Sequence, residues 1–260
     1  MQPDYYEAAD TLSEYLLFHY GTDQEVLPWS FGPVDSLNFP SRIANVFSPH
    51  YPLHSETSSL RALDIGCAVG RSSFELTCYA DEVVGVDSSG VFIATAEKLK
   101  ANGQIDYDYK IQGQIRRQSI ARIPDTLDRR KVSFRQADAM QLDPGDLSTF
   151  DILLCSNLIC RLNDPARFFQ TLPALLKPEG IFVLSSPFSW LTEYTPEACW
   201  LGGKSPDQSA FDAIKSCLSE AFLLLETRDL PMLIREHERK FQWTVCHGSV
   251  WKKKSHPTPS

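Results

Sequence analysis

Two periodicities divide this chain, and the change from one to the other falls at Ser59. Before it, Asp4 to Phe18 sets Leu12, Tyr15, Leu16 and Phe18 at the spacing of one helix face, and Gly21 stops the run. From Val26 to Pro52, proline, phenylalanine and tryptophan crowd together with little period, which predicts an irregular packed segment with a short helix over Ser41–Phe47. After Ser59, short apolar runs predict strands over Leu60–Ile65, Glu82–Val86, Val132–Gln136, Phe150–Cys155 and Ile181–Ser185. Helices are predicted between them over Arg71–Tyr79 and Val91–Lys100. Asp164 followed by Pro165 reads as an N-cap and first residue of another helix. A late helix near Ala210–Glu220 and an alternating strand across Gln242–Trp251 complete the pattern. Strands alternating with helices in this way predict an α/β, doubly wound and mainly parallel sheet.

One connection breaks the rhythm. Residues 103–131 fill a junction that usually takes about 2–6 residues. The stretch is rich in arginine (Arg116, Arg117, Arg122, Arg129, Arg130) and predicts a pair of strands or a short helix, either a lid or a decoration. The organisation expected is an N-terminal cap over 1–58, a core over 59–254 carrying this insertion, and a frayed tail over 255–260.

Composition narrows the function. At 260 residues, 43% hydrophobic and 22% charged, the chain can bury a core without a disulfide or metal staple. No apolar run reaches the ~18 residues of a spanning helix, and Met1–Asp10 lacks the apolar stretch of a signal peptide, so a cytoplasmic protein is expected. The net charge of −8 is concentrated early: residues 1–60 hold eight acids and a single base, Arg42. Without a basic stripe, nucleic acid is a poor partner and a small molecule a better one. The seven cysteines form no CxxC pair and suit reduced thiols. His50 and His54 lie four apart, but Pro49 and Pro52 deny them a shared helix face, so no metal is expected.

The densest chemical signal is Ala62-Leu-Asp-Ile-Gly-Cys-Ala-Val-Gly-Arg71, where Asp64, Gly66 and Gly70 bracket a strand-to-helix turn containing Cys67 and Ala68. Glycines there let a ligand approach the backbone at a helix N-terminus. The nicotinamide fingerprint wants three glycines. Here an acid precedes G-x-x-x-G, which would repel a pyrophosphate and suit a cationic or amine-bearing ligand. The arrangement resembles motif I of the class I S-adenosylmethionine-dependent methyltransferases, a Rossmann-like family with a seven-stranded sheet. The resemblance implies Asp87 and Ser88 at the ribose, Asp138 and Ala139 at the adenine, and Asn157 and Leu158 beside the transferable methyl. S-adenosylmethionine is then the methyl donor and S-adenosylhomocysteine the product.

Outside that half, Leu12–Gly21, Phe31-Gly-Pro, Asn38-Phe-Pro, Trp200-Leu-Gly-Gly203 and Ile234–Trp243 look like a narrower family. They resemble the C-terminal methyltransferase module of the ovothiol-biosynthesis enzyme, 5-histidylcysteine sulfoxide synthase with 4-mercaptohistidine methyltransferase activity. The likeness runs from about Tyr5 to Lys253. It implies N-methylation of an imidazole nitrogen of 5-thiohistidine, with an iron-dependent sulfoxide synthase, separate or fused, as partner. A zwitterionic acceptor needs a cation for its carboxylate, and Arg42, Arg161 and Arg235 are candidates, a surface ion pair being the commoner reading of any one of them. Tyr15, His19 and Asn38 are candidates for holding the imidazole, and Phe241 and Trp243 for an aromatic wall, with core packing as the alternative for the aromatics. Tyr15, His19 and Asn157 are the residues expected nearest the chemistry. The competing expectations are a methyltransferase-fold binding subunit without catalysis, and a methyltransferase of another small molecule, RNA or protein.

Overall fold

The computed structural model describes residues 5–50 and 59–255. The expectations for Asp4, His54 and residues 256–260 lie outside those described. A cap of three helices comes first: α1 (Ala9–Tyr20), α2 (Asp23–Val26) and α3 (Phe39–Asn45). The core follows as β1 (Arg61–Ile65), α4 (Arg71–Leu76), β2 (Glu82–Asp87) and α5 (Gly90–Asn102). A hairpin of β3 (Gln104–Gln112) and β4 (Ile115–Arg122) interrupts it. Then come β5 (Val132–Gln136), α6 (Pro144–Leu147), β6 (Phe150–Ser156), α7 (Pro165–Leu175), β7 (Leu176–Ser186) and α8 (Ala210–Leu218). The long strands β8 (Phe222–His237) and β9 (Lys240–Lys253) close the chain.

The strands assemble as β5-β2-β1-β6-β7-β9-β8, parallel except for β9, which runs antiparallel to both β7 and β8. Side-chain alternation feeds two cores. Ala62, Ile152 and Leu154 face the side covered by the cap, α4 and α5, whereas Leu63, Ile65, Leu153 and Cys155 face α7 and α8. Asp164 caps α7 as its sequence suggests, its carboxylate accepting the Arg167 N–H at 3.0 Å. No helix among the described residues is long and apolar enough to cross a membrane.

Four sequence expectations are corrected. Helix α1 begins at Ala9, after a turn, and the α3 helix comes two residues earlier than expected, at Phe39, where Pro40 fits a first helical turn. β8 carried no predicted strand, because its Arg228, Asp229 and Pro231 interrupt the apolar alternation. The insertion forms the pair of strands and is not a lid. Arg116 ties it to α1 through Asp10 at 2.7 Å and Ser13 at 2.8 Å, and Ser119 donates to Glu25 at 2.6 Å. The hairpin therefore braces the outer side of the cap. His50 pairs with Glu226 at 2.5 Å.

Arg235 holds the same junction from within. It is 2% exposed, donates to the Glu25 carbonyl and lies 5.2 Å from the Tyr109 ring centroid. Cap, insertion and β8 thus share one buried cation.

Glu14, on α1, is pushed up to about 7 by burial, with Glu236 and Asp10 adding like charge. A carboxyl with a folded-state value above its unfolded one costs stability increasingly as pH rises between the two. Glu14→Gln should therefore melt above the parent at pH 8, with the gap shrinking toward pH 4.5 in thermal melts. A gap constant across that range would contradict this.

Candidate active site

The site is built on the turn after β1. Gly66 adopts φ +79 and sends its N–H to the Val86 carbonyl at 2.8 Å, and the Cys67 N–H joins it at 3.0 Å. Ala68 then donates to the Asp87 carboxylate at 2.9 Å, and Ser89 donates to the other oxygen, also at 2.9 Å. The acid at the end of β2 is thereby fixed facing the glycine turn, and burial raises its pKa. A Cβ at Gly66 would stand 3.2 Å from Leu158, so the bare backbone is part of the wall.

Asp64 does not face the ligand space. It is 1% exposed, and one carboxylate oxygen accepts from Ser72 at 2.8 Å and Ser73 at 2.7 Å, anchoring the first turn of α4. Its other oxygen has no hydrogen-bond partner, and burial pushes the carboxyl up to about 6. Gly70 and Cys67 likewise lie behind the cavity wall. A Cβ at Gly70 (φ +86) would meet Phe134 at 2.6 Å, so this glycine serves helix–strand packing, and Cys67 is 1% exposed.

A cavity of about 520 Å³ opens over the C-terminal ends of β1, β2 and β6. One half is walled by Gly66, Ala68, Asp87, Ser88, Asp138, Ala139, Asn157 and Leu158, all expected from sequence, together with Ser89 and Met140. Asp138 caps the short turn after it by accepting the Met140 N–H at 2.9 Å. Asn157 sits in the left-handed region (φ +54), with its N–H on the Ser185 carbonyl at 2.9 Å. Its side-chain carbonyl accepts from the Ser185 hydroxyl at 3.0 Å, and its amide nitrogen donates to the Met232 sulfur at 3.1 Å.

The other half is aromatic. Tyr15 and His19 reach it from α1 and Arg161 from the turn after β6, as expected. His19 is pushed down to about 3 by burial, with Arg71 adding to the effect, so the imidazole is neutral. Its Nδ1 has no hydrogen-bond partner. Burial pushes the Tyr15 hydroxyl up.

Five candidates are not brought to the cavity. Asn38 donates to Asp23 at 2.8 Å. Arg42 donates to the Leu37 carbonyl at 2.9 Å and to that of Pro231. Arg235 is the buried clamp of the cap, and Phe241 packs against the core. Trp243 is 59% exposed and donates to Ser36 at 2.9 Å. In Asn38, Arg42, Arg235 and Trp243 the side chain bonds a neighbouring segment that sequence spacing does not reveal.

Tyr6, Glu7, Phe18, Phe39, Tyr194, Met232 and Ile234 line the cavity without having been singled out for it. Phe18 and Phe39 carried a signal, lying beside His19 and Asn38 in the same segments. Tyr6 and Glu7 carried none. Glu7 receives the Gly90 N–H at 2.9 Å and the Val91 N–H at 3.3 Å at the start of α5, and Tyr6 accepts from the Ser89 hydroxyl at 3.0 Å. A carboxylate at a helix N-terminus is favourably placed, so this pair straps the N-terminal segment across the donor half.

Residues 63–184 match the family model described as a methyltransferase domain. Over 129 residues the chain is 30% identical to the ubiquinone biosynthesis O-methyltransferase of Bradyrhizobium sp. (strain ORS 278), a match covering 50% of this chain and 40% of that protein. It is 24% identical over 155 residues to a probable S-adenosylmethionine-dependent methyltransferase of Saccharomyces cerevisiae, covering 56% and 44% respectively. These matches span less than half the length of either relative. The fold is similar to that of the N-methyltransferase NodS from Bradyrhizobium japonicum WM9 in complex with S-adenosylhomocysteine, with TM-score 0.51, 14% identity, and coverage of 93% of this chain and 98% of that one. The fold is the Rossmann-like one of methyltransferases, and the segment 63–184 within it matches a methyltransferase domain. The methyl donor that such a domain implies is S-adenosylmethionine.

The residues present fit that donor. Carboxylates from Asp87 and Asp138 line its half of the cavity, Asp64 lies just beneath, and no lysine or arginine stands among them, which suits a sulfonium cation. The Asp87 carboxylate accepts main-chain bonds from Ala68 and Ser89 and retains lone-pair capacity for a ribose hydroxyl. Asp87→Ala should weaken donor binding by roughly 1–3 kcal/mol, read by calorimetry with S-adenosylhomocysteine. Unchanged affinity would remove Asp87 from the donor site. Gly66→Val should lose donor binding while circular dichroism still reports the sheet. Normal binding in that folded variant would disqualify the turn.

Proposed function

We propose that this enzyme is a small-molecule N-methyltransferase whose acceptor is 5-thiohistidine, methylated on an imidazole nitrogen in ovothiol formation, with a separate or fused sulfoxide synthase supplying the thiol. One observation carries the reading. Three of the five segments that resemble the ovothiol module contribute to the acceptor half: Leu12–Gly21 through Tyr15, Phe18 and His19, Asn38-Phe-Pro through Phe39 and Pro40, and Ile234–Trp243 through Ile234, while Phe31-Gly-Pro and Trp200–Gly203 lie outside the lining. The relatives match only about half of this chain and less than half of their own length, so their own acceptors do not decide this choice.

The donor supplies an activated methyl on sulfonium. The chain's own residues supply alignment, which is worth up to ~7–11 kcal/mol in favourable cases. A neutral imidazole nitrogen attacks with its own lone pair, so no strong base is required before transfer. His19, held neutral, adds no positive charge against the sulfonium. The aromatic wall of Tyr6, Tyr15 and Phe18 keeps water from the methyl.

Incubation with S-adenosylmethionine and 5-thiohistidine should give a product 14 Da heavier by mass spectrometry, about one methylene, with the thiol still titratable. Donor binding without methyl transfer to any thiol-imidazole would favour a non-catalytic binding subunit and defeat the proposal.

A further inference from the structure

Arg161 is the one guanidinium among the described residues that line the cavity. Its Nη1 is fully engaged, donating to the Cys160 carbonyl at 3.0 Å and the Ser189 carbonyl at 2.9 Å. Its carbon lies 5.1 Å from the Tyr194 ring centroid, and the Tyr6 hydroxyl is within hydrogen-bonding reach. No carboxylate among the described residues pairs with it. The groups acting on it are the Cys160 thiol and the Tyr6 and Tyr194 phenols. Of the other arginines about the site, Arg71 pairs with Glu75 at 2.6 Å and Arg42 bonds main-chain carbonyls away from the cavity, while Arg235, outside the cavity lining, bonds the Glu25 carbonyl through one nitrogen and keeps its Nε and Nη2 buried without a partner. Glu7, the acid nearest the strap, is committed to the start of α5.

A half-buried cation without a counter-ion is costly, and a guanidinium pinned at one end presents its remaining N–H edge in fixed geometry. We propose that Arg161 is the anchor for a carboxylate on the methyl acceptor, which makes the acceptor class carboxylated heteroaromatics rather than neutral phenols or amines. The inference rests on the methyltransferase reading of the cavity and deepens its substrate assignment. The two carbonyl bonds fix where the anion sits: beyond the turn that carries Asn157, on the aromatic side of the cavity. The same chemistry could be offered by the carboxylate of the donor's methionyl end, and the experiment separates the two sources.

On protein saturated with S-adenosylhomocysteine, calorimetry should show 5-thiohistidine binding about tenfold or more tightly than its decarboxylated amine, the scale of a charge-assisted hydrogen-bond pair. Arg161→Gln should erase that preference, Arg161→Lys should restore part of it, and the affinity for S-adenosylhomocysteine should stay within about twofold of the parent. A loss of S-adenosylhomocysteine affinity with the acceptor preference intact would assign Arg161 to the donor and overturn the proposal. So would the absence of any carboxylate preference in the parent protein. A second probe pair, 3-(imidazol-4-yl)propionate and its primary amide, is read by thermal shift. If neither thiol binds yet the propionate stabilises the parent more than its amide does, and not Arg161→Gln, the thiohistidine assignment fails and the anchor stands.

Discussion

The Val86 carbonyl accepts the N–H groups of Gly66 and Cys67, and the Asp87 carboxylate beside it accepts those of Ala68 and Ser89. This single lock joins the turn after β1, the end of β2 and the start of α5 in one rigid floor. It satisfies four donors that would otherwise be stranded at the head of a buried parallel sheet. Loosening it would release the left-handed turn, the carboxylate facing the ligand and the N-terminus of α5 together. The strap formed by Tyr6 and Glu7 closes onto that same α5 start.

Above this floor the acceptor half depends on a second assembly. The cap helices present Tyr15, Phe18 and His19 inward only because their outer side is held by the β3–β4 hairpin and their ends by Arg235. The long β8–β9 pair extends past the core sheet to reach the cap, bringing Met232 and Ile234 to the cavity on the way. The insertion thus shapes the acceptor pocket without touching it. Burial then sets the electrostatics: a neutral His19 and an unpaired Arg161 share an otherwise apolar wall.

The donor half was largely legible before any coordinates. Gly66, Asp87, Asp138 and Asn157 each follow a strand end, and a strand end in a doubly wound sheet fixes where its next residue points. Asp64 and Gly70 belong to the same motif, yet they serve packing, one bonding Ser72 and Ser73 and the other admitting Phe134. A motif locates a turn; it does not say which of its residues faces the ligand.

The acceptor half was legible by segment but not by side chain. Asn38, Arg42, Arg235 and Trp243 lie in the right segments and turn their polar ends to Asp23, Pro231, Glu25 and Ser36. Those partners come from other elements, so local spacing holds no trace of them. Tyr6 and Glu7 reach the cavity through contacts about eighty residues away in sequence. By itself, then, the sequence determined the alternation of strands and helices, the glycine turn and the acids at the strand ends, because these depend on backbone period and near neighbours. Which arginine enters the cavity, which histidine is held neutral, and whether the insertion covers the site or braces its cap were decided only by tertiary packing, because burial and long-range partners set each of them.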